Sequence, residues 1–349
     1  MATLENSIES FNFSQVNTQT VNEAASLFFQ SFGNWNTNQN IIQISSNEAL
    51  HNCFNADNQN GQTLIPQLEL NQNMLIEPQQ VQPQNTTTII GNPHDLRDST
   101  EYELIIYRQM LETEVLMPSP CVIQTEITPK DRGLLIDWLC RVHYKCRLST
   151  SIFYRCVGII DRLFMLTTIH PHELKLIGCA SMLIASKIEG QHFYIKHAIE
   201  LSENSFNREM MINAETKINN LLGFQLNFPT SFMFLSHLQR LSEERSEIVL
   251  HSRYIIEVCS SAIEFINVRP SAIACSAILL TRVLHNFEDS WTSQMEEYTG
   301  YSYEDLIGYA RIIHSILLDE DREESIFMRR KYGSTAFHSV ANFSLPCFI

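Results

Sequence analysis

Lys187 closes a run, Ile177 to Ser186, that is apolar or small on every side. A helix apolar all round is buried, and Gly178, Ala180, Ser181, Ala185 and Ser186 let neighbouring helices approach closely. An ammonium at the edge of such a helix is either solvated or held for a partner. The run returns 96 residues downstream, where Ile273 to Val283 matches Ile177 to Lys187 position by position. At the same offset Val283 stands for Lys187, Arg311 for Glu215, and Leu317-Leu318 for Leu221-Leu222. A fold that needed the Lys187 and Glu215 charges would carry them in both copies. A pair present once reads as a binding surface. The competing reading is an ordinary exposed ion pair, worth little to stability.

Other chemistries find little support. His170-Pro171-His172 is the only close histidine pair, with no cysteine or carboxylate at ligand spacing, so a solvated loop is expected and no metal. Nine cysteines contain no CxxC. Cys140, Cys156, Cys179, Cys259 and Cys275 fall on apolar helix faces and read as core thiols in a reducing compartment. Carboxylates and histidines scatter over separate predicted helices without a nucleophile and base set, so neither an enzyme nor a cofactor is expected. A net charge of −15 argues against a nucleic-acid surface. No stretch has the length of a membrane span, and the start lacks the pattern of a signal peptide.

The elements that position these residues are helices; nothing alternates with period two. Residues 1–95 are rich in Asn, Gln, Ser and Thr, with no Lys or Arg before Arg97, and are expected to be a disordered tail. Its apolar islands, Leu27-Phe28-Phe29 and Ile41-Ile42-Gln43-Ile44, read as incidental or as docking motifs. Residues 96–128 hold an N-terminal helix, about 99–116, with a stripe of Tyr102, Ile105, Ile106, Met110 and Leu111, then a Pro-rich turn. The first repeat spans 129–228. Thr128-Pro129 opens it with a helix that carries Leu135, Trp138, Leu139 and Val142; further helices are predicted near 150–166, from Pro171 through the run to Lys187, near 193–201, and from the cap Asn207 to near Gly223. The second spans 229–322, with helices near 230–242, 245–266, 270–286, 291–298 and 302–319. Residues 323–349 read as a loose C-terminal extension. The predicted class is all-α, two tandem five-helix bundles.

With these elements in place, the chain resembles a cyclin of the mitotic A/B type. Asp131 to Leu139 resembles the family's MRAILxDWL signature, Ile159-Ile160-Asp161-Arg162 its xIDR motif, and Ala185 to Glu189 its ASKxE motif. Pro270 to Ala274, Trp291-Thr292 and Tyr298 to Tyr301 match the second cyclin box. The resemblance covers about 100–320, in the right order. It implies a regulatory subunit that binds and activates a cyclin-dependent protein kinase in G2/M, as a heterodimer and without chemistry of its own. It further implies that Lys187, Glu215 and Glu189 meet the kinase and that Leu176 is a packing residue of the core; Arg132 and Asp161 read as an internal ion pair joining the first two helices of the repeat, with direct kinase contact as the alternative. A location in nucleus and cytoplasm is implied, although no basic import cluster occurs.

Departures from the family sharpen the expectations. Its docking groove for Arg-x-Leu peptides of substrates and inhibitors corresponds here to Leu134, Leu135, Trp138 and Leu174. Asp131 takes the usual Met position, Arg141 the acidic position and Lys175 a polar one. Two added cations repel a basic motif, so the groove is expected to select other ligands or to be disused. Gly190 removes one candidate kinase-contacting carboxylate. Without an arginine before Arg97 the tail carries no Arg-x-x-Leu destruction box, so the standard mitotic destruction signal is expected to be absent. Two alternatives stay open: a scaffold that binds a kinase without activating it, and a cyclin-fold module in transcription.

Overall fold

The computed structural model describes residues 100–114, 124–241 and 245–345. The Asn/Gln-rich tail with its apolar islands, the helix cap at Ser99 and the Pro-rich turn lie outside the described residues. Among the described residues there are twelve α-helices and no strand, so the all-α class holds.

Helix α1 (Thr100–Thr113) precedes the first bundle, α2 (Pro129–Lys145), α3 (Thr150–Leu166), α4 (Leu174–Ile188), α5 (Ile195–Leu201) and α6 (Arg208–Leu221). The second is α7 (Ser231–Leu241), α8 (Ser246–Ser261), α9 (Pro270–Leu284), α10 (Ser293–Thr299) and α11 (Tyr303–Leu318). A final helix, α12 (Ile326–Tyr332), follows. The starts follow local chemistry. Thr128 caps α2 in a capping box with Asp131, with Pro129 at its first position. Asn207 caps α6, Thr292 caps α10 and Ser302 caps α11, each by accepting a backbone amide.

The two matching runs become the central helices. Every residue from Ile177 to Ser186 on α4 is buried, as is every residue from Ala274 to Thr281 on α9. Helices α2, α3 and α6 pack around α4, and α7, α8 and α11 around α9. Gly158 on α3 lets the Phe228 ring lie directly on its backbone; a Cβ there would come within 2.3 Å of the ring. Arg162 stacks on that ring at 4.0 Å.

The two cores meet at α2. Leu135, Leu139 and Val142 belong to the first core, while Ile136 and Cys140 join the second. Helix α1 also packs on the second bundle, at α7. Its buried face is Glu103, Tyr107 and Met110, with Tyr107 between Phe234, His237 and Tyr298. Tyr102 and Ile105 of the expected stripe are 42% and 41% exposed. Two overlapping apolar faces run along α1, and the aromatic slot for Tyr107 selects between them.

The expectation of a loose C-terminal extension does not hold. Asp137 on α2 accepts the amides of Phe327 at 3.0 Å and Met328 at 3.1 Å, capping α12 from another helix. Burial pushes the Asp137 carboxyl up, against the lowering effect of those amides. Arg329 satisfies the end of α11 through the carbonyls of Ile316, Leu317 and Asp319. Lys331 reaches Glu257 of α8 at 2.7 and 2.8 Å, both groups almost wholly buried. Tyr332 Oη and Cys140 Sγ complete that cluster at 3.1 and 2.9 Å.

Candidate functional site

Lys187 stands in the last turn of α4, where a cation complements the helix's negative end. Glu215 projects from the neighbouring helix α6, and its carboxylate accepts a hydrogen bond from Lys187 Nζ. The structure thus brings together the two residues that distinguish the first repeat from the second. The pair is lopsided: the Lys187 side chain is 58% exposed and that of Glu215 only 16%. The ammonium therefore keeps donor capacity directed at solvent.

The same two helices and the turn after α6 also carry exposed apolar side chains. Ile188 is 42% exposed, Ile212 42%, Leu221 40% and Phe224 60%. Phe224 has a left-handed backbone, φ +59°, directly after Gly223 at φ +55°. A bulky residue there costs on the order of 1–3 kcal/mol, and such strain clusters at binding surfaces. Sequence reasoning missed Ile188 and Phe224 because an apolar residue is expected inside. The signal available was the apolar residue immediately past the glycine that stops α6.

Glu189 behaves differently from its two companions. Its carboxylate accepts from Arg155 Nε at 2.6 Å, and Arg155 also donates to the Leu226 carbonyl at 3.0 Å. Glu189 therefore ties the end of α4 to α3 and to the turn after α6, instead of standing open. Gly190 ends α4 at φ +70°, and Gln191 N returns to the Ser186 carbonyl at 2.9 Å. That turn favours glycine, which accounts for the missing carboxylate at 190.

Arg132 and Asp161 form a buried, two-pronged ion pair, Nε–Oδ1 2.7 Å and Nη2–Oδ2 2.8 Å, joining α2 to α3. A third donor of Arg132 reaches the Ser261 carbonyl at the end of α8, 3.4 Å away, so the pair also touches the second bundle. Removing one partner of such a pair strands a buried charge, at about 3–5 kcal/mol. Leu176, expected in the core, is only half-buried and packs against the rim of the first core. It lies on the outer side of the first turn of α4, before the helix becomes enclosed.

The expected groove is only partly assembled as read. Leu134 is exposed, and Trp138 and Leu174 are half-buried. Leu135 faces the first core instead, at 5% exposure, because it lies on the other side of α2. Lys175 Nζ sits 5.8 Å over the Trp138 ring, and Arg141 is exposed one turn along α2. Asp131 is committed to the Thr128 cap. The His170 and His172 rings stack, and His170 pairs with Glu126 at 2.9 Å; no group of three metal-binding side chains occurs among the described residues.

Two family models match this chain: the cyclin N-terminal domain over residues 105–227 and the cyclin C-terminal domain over 229–346. Cyclin-B1-3 of Oryza sativa subsp. japonica is 30% identical over 265 residues, covering 73% of this chain and 56% of the relative. The G2/mitotic-specific cyclin-B3 of Gallus gallus is 27% identical over 255 residues, covering 72% and 62%. The alignments span less than two thirds of the length of these relatives. A solved viral cyclin from herpesvirus saimiri shares the fold, with TM-score 0.55, 22% identity and coverage of 61% of this chain and 97% of that one. The chain belongs to the cyclin family. Within it, the two cyclin boxes and the relatives place it with the mitotic A/B type.

Proposed function

We propose that this cyclin is the regulatory subunit of a cyclin-dependent serine/threonine protein kinase, acting in G2/M in nucleus and cytoplasm. One observation carries the reading. The Lys187–Glu215 pair, present in the first box only, stands on two helices that also carry exposed apolar side chains, its lysine directed at solvent. An ammonium and a carboxylate in an apolar rim suit the unpaired carbonyls and amides at the end of a partner helix. The apolar rim supplies the buried area, and the charges set the register. Activation would then be a population shift: a kinase conformer with its Lys–Glu pair and activation loop in place is the one this face binds best. The Gallus gallus relative, named as a G2/mitotic-specific cyclin, supports the G2/M assignment. Coexpression with cyclin-dependent kinases from the same cell tests the partnership. A stoichiometric complex that survives gel filtration is expected; failure to co-purify with any of them rejects it.

A further inference from the structure

The turn that carries Phe224 has little of its own to hold it. Gly223 and Phe224 both have left-handed backbones. Gly223, Phe224, Gln225 and Asn227 are exposed, and Leu226 is half-buried. The buried anchors lie on either side, Leu222 before the turn and Phe228 after it. Two backbone bonds close it, from the Phe224 amide to the Asn219 carbonyl and from the Gln225 amide to the Leu222 carbonyl, each 3.0 Å. A bulky residue in the left-handed region persists only where its surroundings over-determine it. The remaining constraint comes from outside the segment.

Helix α3 supplies it. Arg155, Gly158 and Arg162 follow one another at helical spacing, so they share one face of α3. The Phe228 ring lies on the Gly158 backbone, with the Arg162 guanidinium 4.0 Å and the Arg155 guanidinium 5.8 Å from its centre. Each arginine then reaches a carbonyl of the turn. Arg155 Nη1 donates to Leu226 at 3.0 Å, and Arg162 Nη1 donates to Gln225 at 2.9 Å. Glu189, at the end of α4, fixes Arg155 in turn through its Nε. Bonds from a charged donor are about twice as strong as neutral ones, and Arg155 is buried, where water competes little. The second box has no counterpart: 96 residues on, His251, Tyr254 and Val258 stand for Arg155, Gly158 and Arg162.

We infer that Arg155 and Arg162 are positioning residues for the kinase-binding face. They clamp two consecutive carbonyls after α6 and so hold Phe224 outward in the geometry that a partner meets. Neither arginine needs to touch the partner. The clamp orders the turn before binding, and a turn that is competent only part of the time binds more weakly by that fraction. The link to affinity rests on the kinase partnership proposed for this face; the clamp itself does not.

The test uses the full chain with Arg155→Met, which keeps the stem beside Phe228 and removes both donors. On the cyclin alone, the amides of Phe224 and Gln225 are expected to exchange with deuterium at least about tenfold faster than in the wild type, with the buried run of α4 unchanged. Arg162→Met releases the Gln225 carbonyl from two turns along α3 and should raise the same exchange, which keeps the test valid where Arg155→Met lowers the melting temperature. Calorimetric titration with a co-purifying kinase should show Arg155→Met and Phe224→Ala each weakening the complex by about tenfold. The double variant should also lose about tenfold, and not about a hundredfold, because Arg155 acts through Phe224. A merely structural arginine would give losses that multiply. Unchanged exchange in both arginine variants, an unchanged affinity in Arg155→Met, or multiplying losses overturns the inference. Exchange is read without a partner, so rejection of the partnership and rejection of the clamp are separate results.

Discussion

Exchanging the charges of Lys187 and Glu215, as Lys187→Glu with Glu215→Lys, is expected to leave the cyclin folded and to weaken its kinase complex by at least about 100-fold. The fold tolerates the swap because the two side chains still attract each other, and a lysine at 215 can extend its stem along α6 to reach water. The partner meets the opposite pattern: a carboxylate where it offers carbonyls, and an ammonium where it offers amides. Charged contacts desolvated at an interface are worth about 2–5 kcal/mol each by truncation. A net loss of about 3 kcal/mol already exceeds 100-fold in affinity. Calorimetric titration of the purified pair measures this. An unchanged affinity would place the kinase elsewhere on the surface. Glu189→Ala is a useful contrast, because its carboxylate holds Arg155 and the turn at Leu226, so its loss acts through that turn.

The second large effect lies in the C-terminal segment. Lys331→Met is expected to lower the melting temperature by about 10 °C. The substitution leaves Glu257 at 1% exposure with only Tyr332 and Cys140 as partners. Breaking a buried pair from one side costs about 3–5 kcal/mol, and each kcal/mol moves the transition of a domain of this size by about 2–4 °C. Burial lowers the Lys331 pKa, and the Glu257 charge and hydrogen bond, together with Cys140 and Tyr144, outweigh this and leave it raised. Replacing both partners by apolar residues, Glu257→Leu with Lys331→Met, should recover much of the loss, since no charge is then stranded. Scanning calorimetry separates the cases. A single variant that melts within about 2 °C of wild type would contradict the account of α12 as an integral part of the fold.

These two sites differ in how much of them the sequence discloses. Lys187 and Glu215 are legible because the second box supplies an internal control, with Val283 and Arg311 at the matching positions. Helix starts are equally legible, since Thr128, Asn207 and Ser302 act within three residues of themselves. The docking of α12 is not, because Asp137 and Phe327 are 190 residues apart. Its apolar residues, Phe327, Met328, Tyr332, Phe337 and Val340, follow no single period along helix and short 3-10 turns. The Arg155 bond to Glu189 is hidden for a related reason. A motif fixes residue types, while the partner of a carboxylate is chosen by a neighbouring helix. On α1, two apolar faces compete, and only the slot between Phe234 and Tyr298 decides for Tyr107.

Reconstitution measures activation of the kinase directly. A purified cyclin-dependent kinase that co-purifies with this cyclin is assayed for histone phosphorylation alone, with the wild-type cyclin and with the Lys187→Glu, Glu215→Lys variant. With the wild type, turnover is expected to rise by at least about 100-fold, as when a sparsely populated active conformer becomes dominant. The variant should give none at the same concentration. A wild-type complex that forms yet leaves the kinase as inactive as it is alone would contradict the claim and make this chain a scaffold.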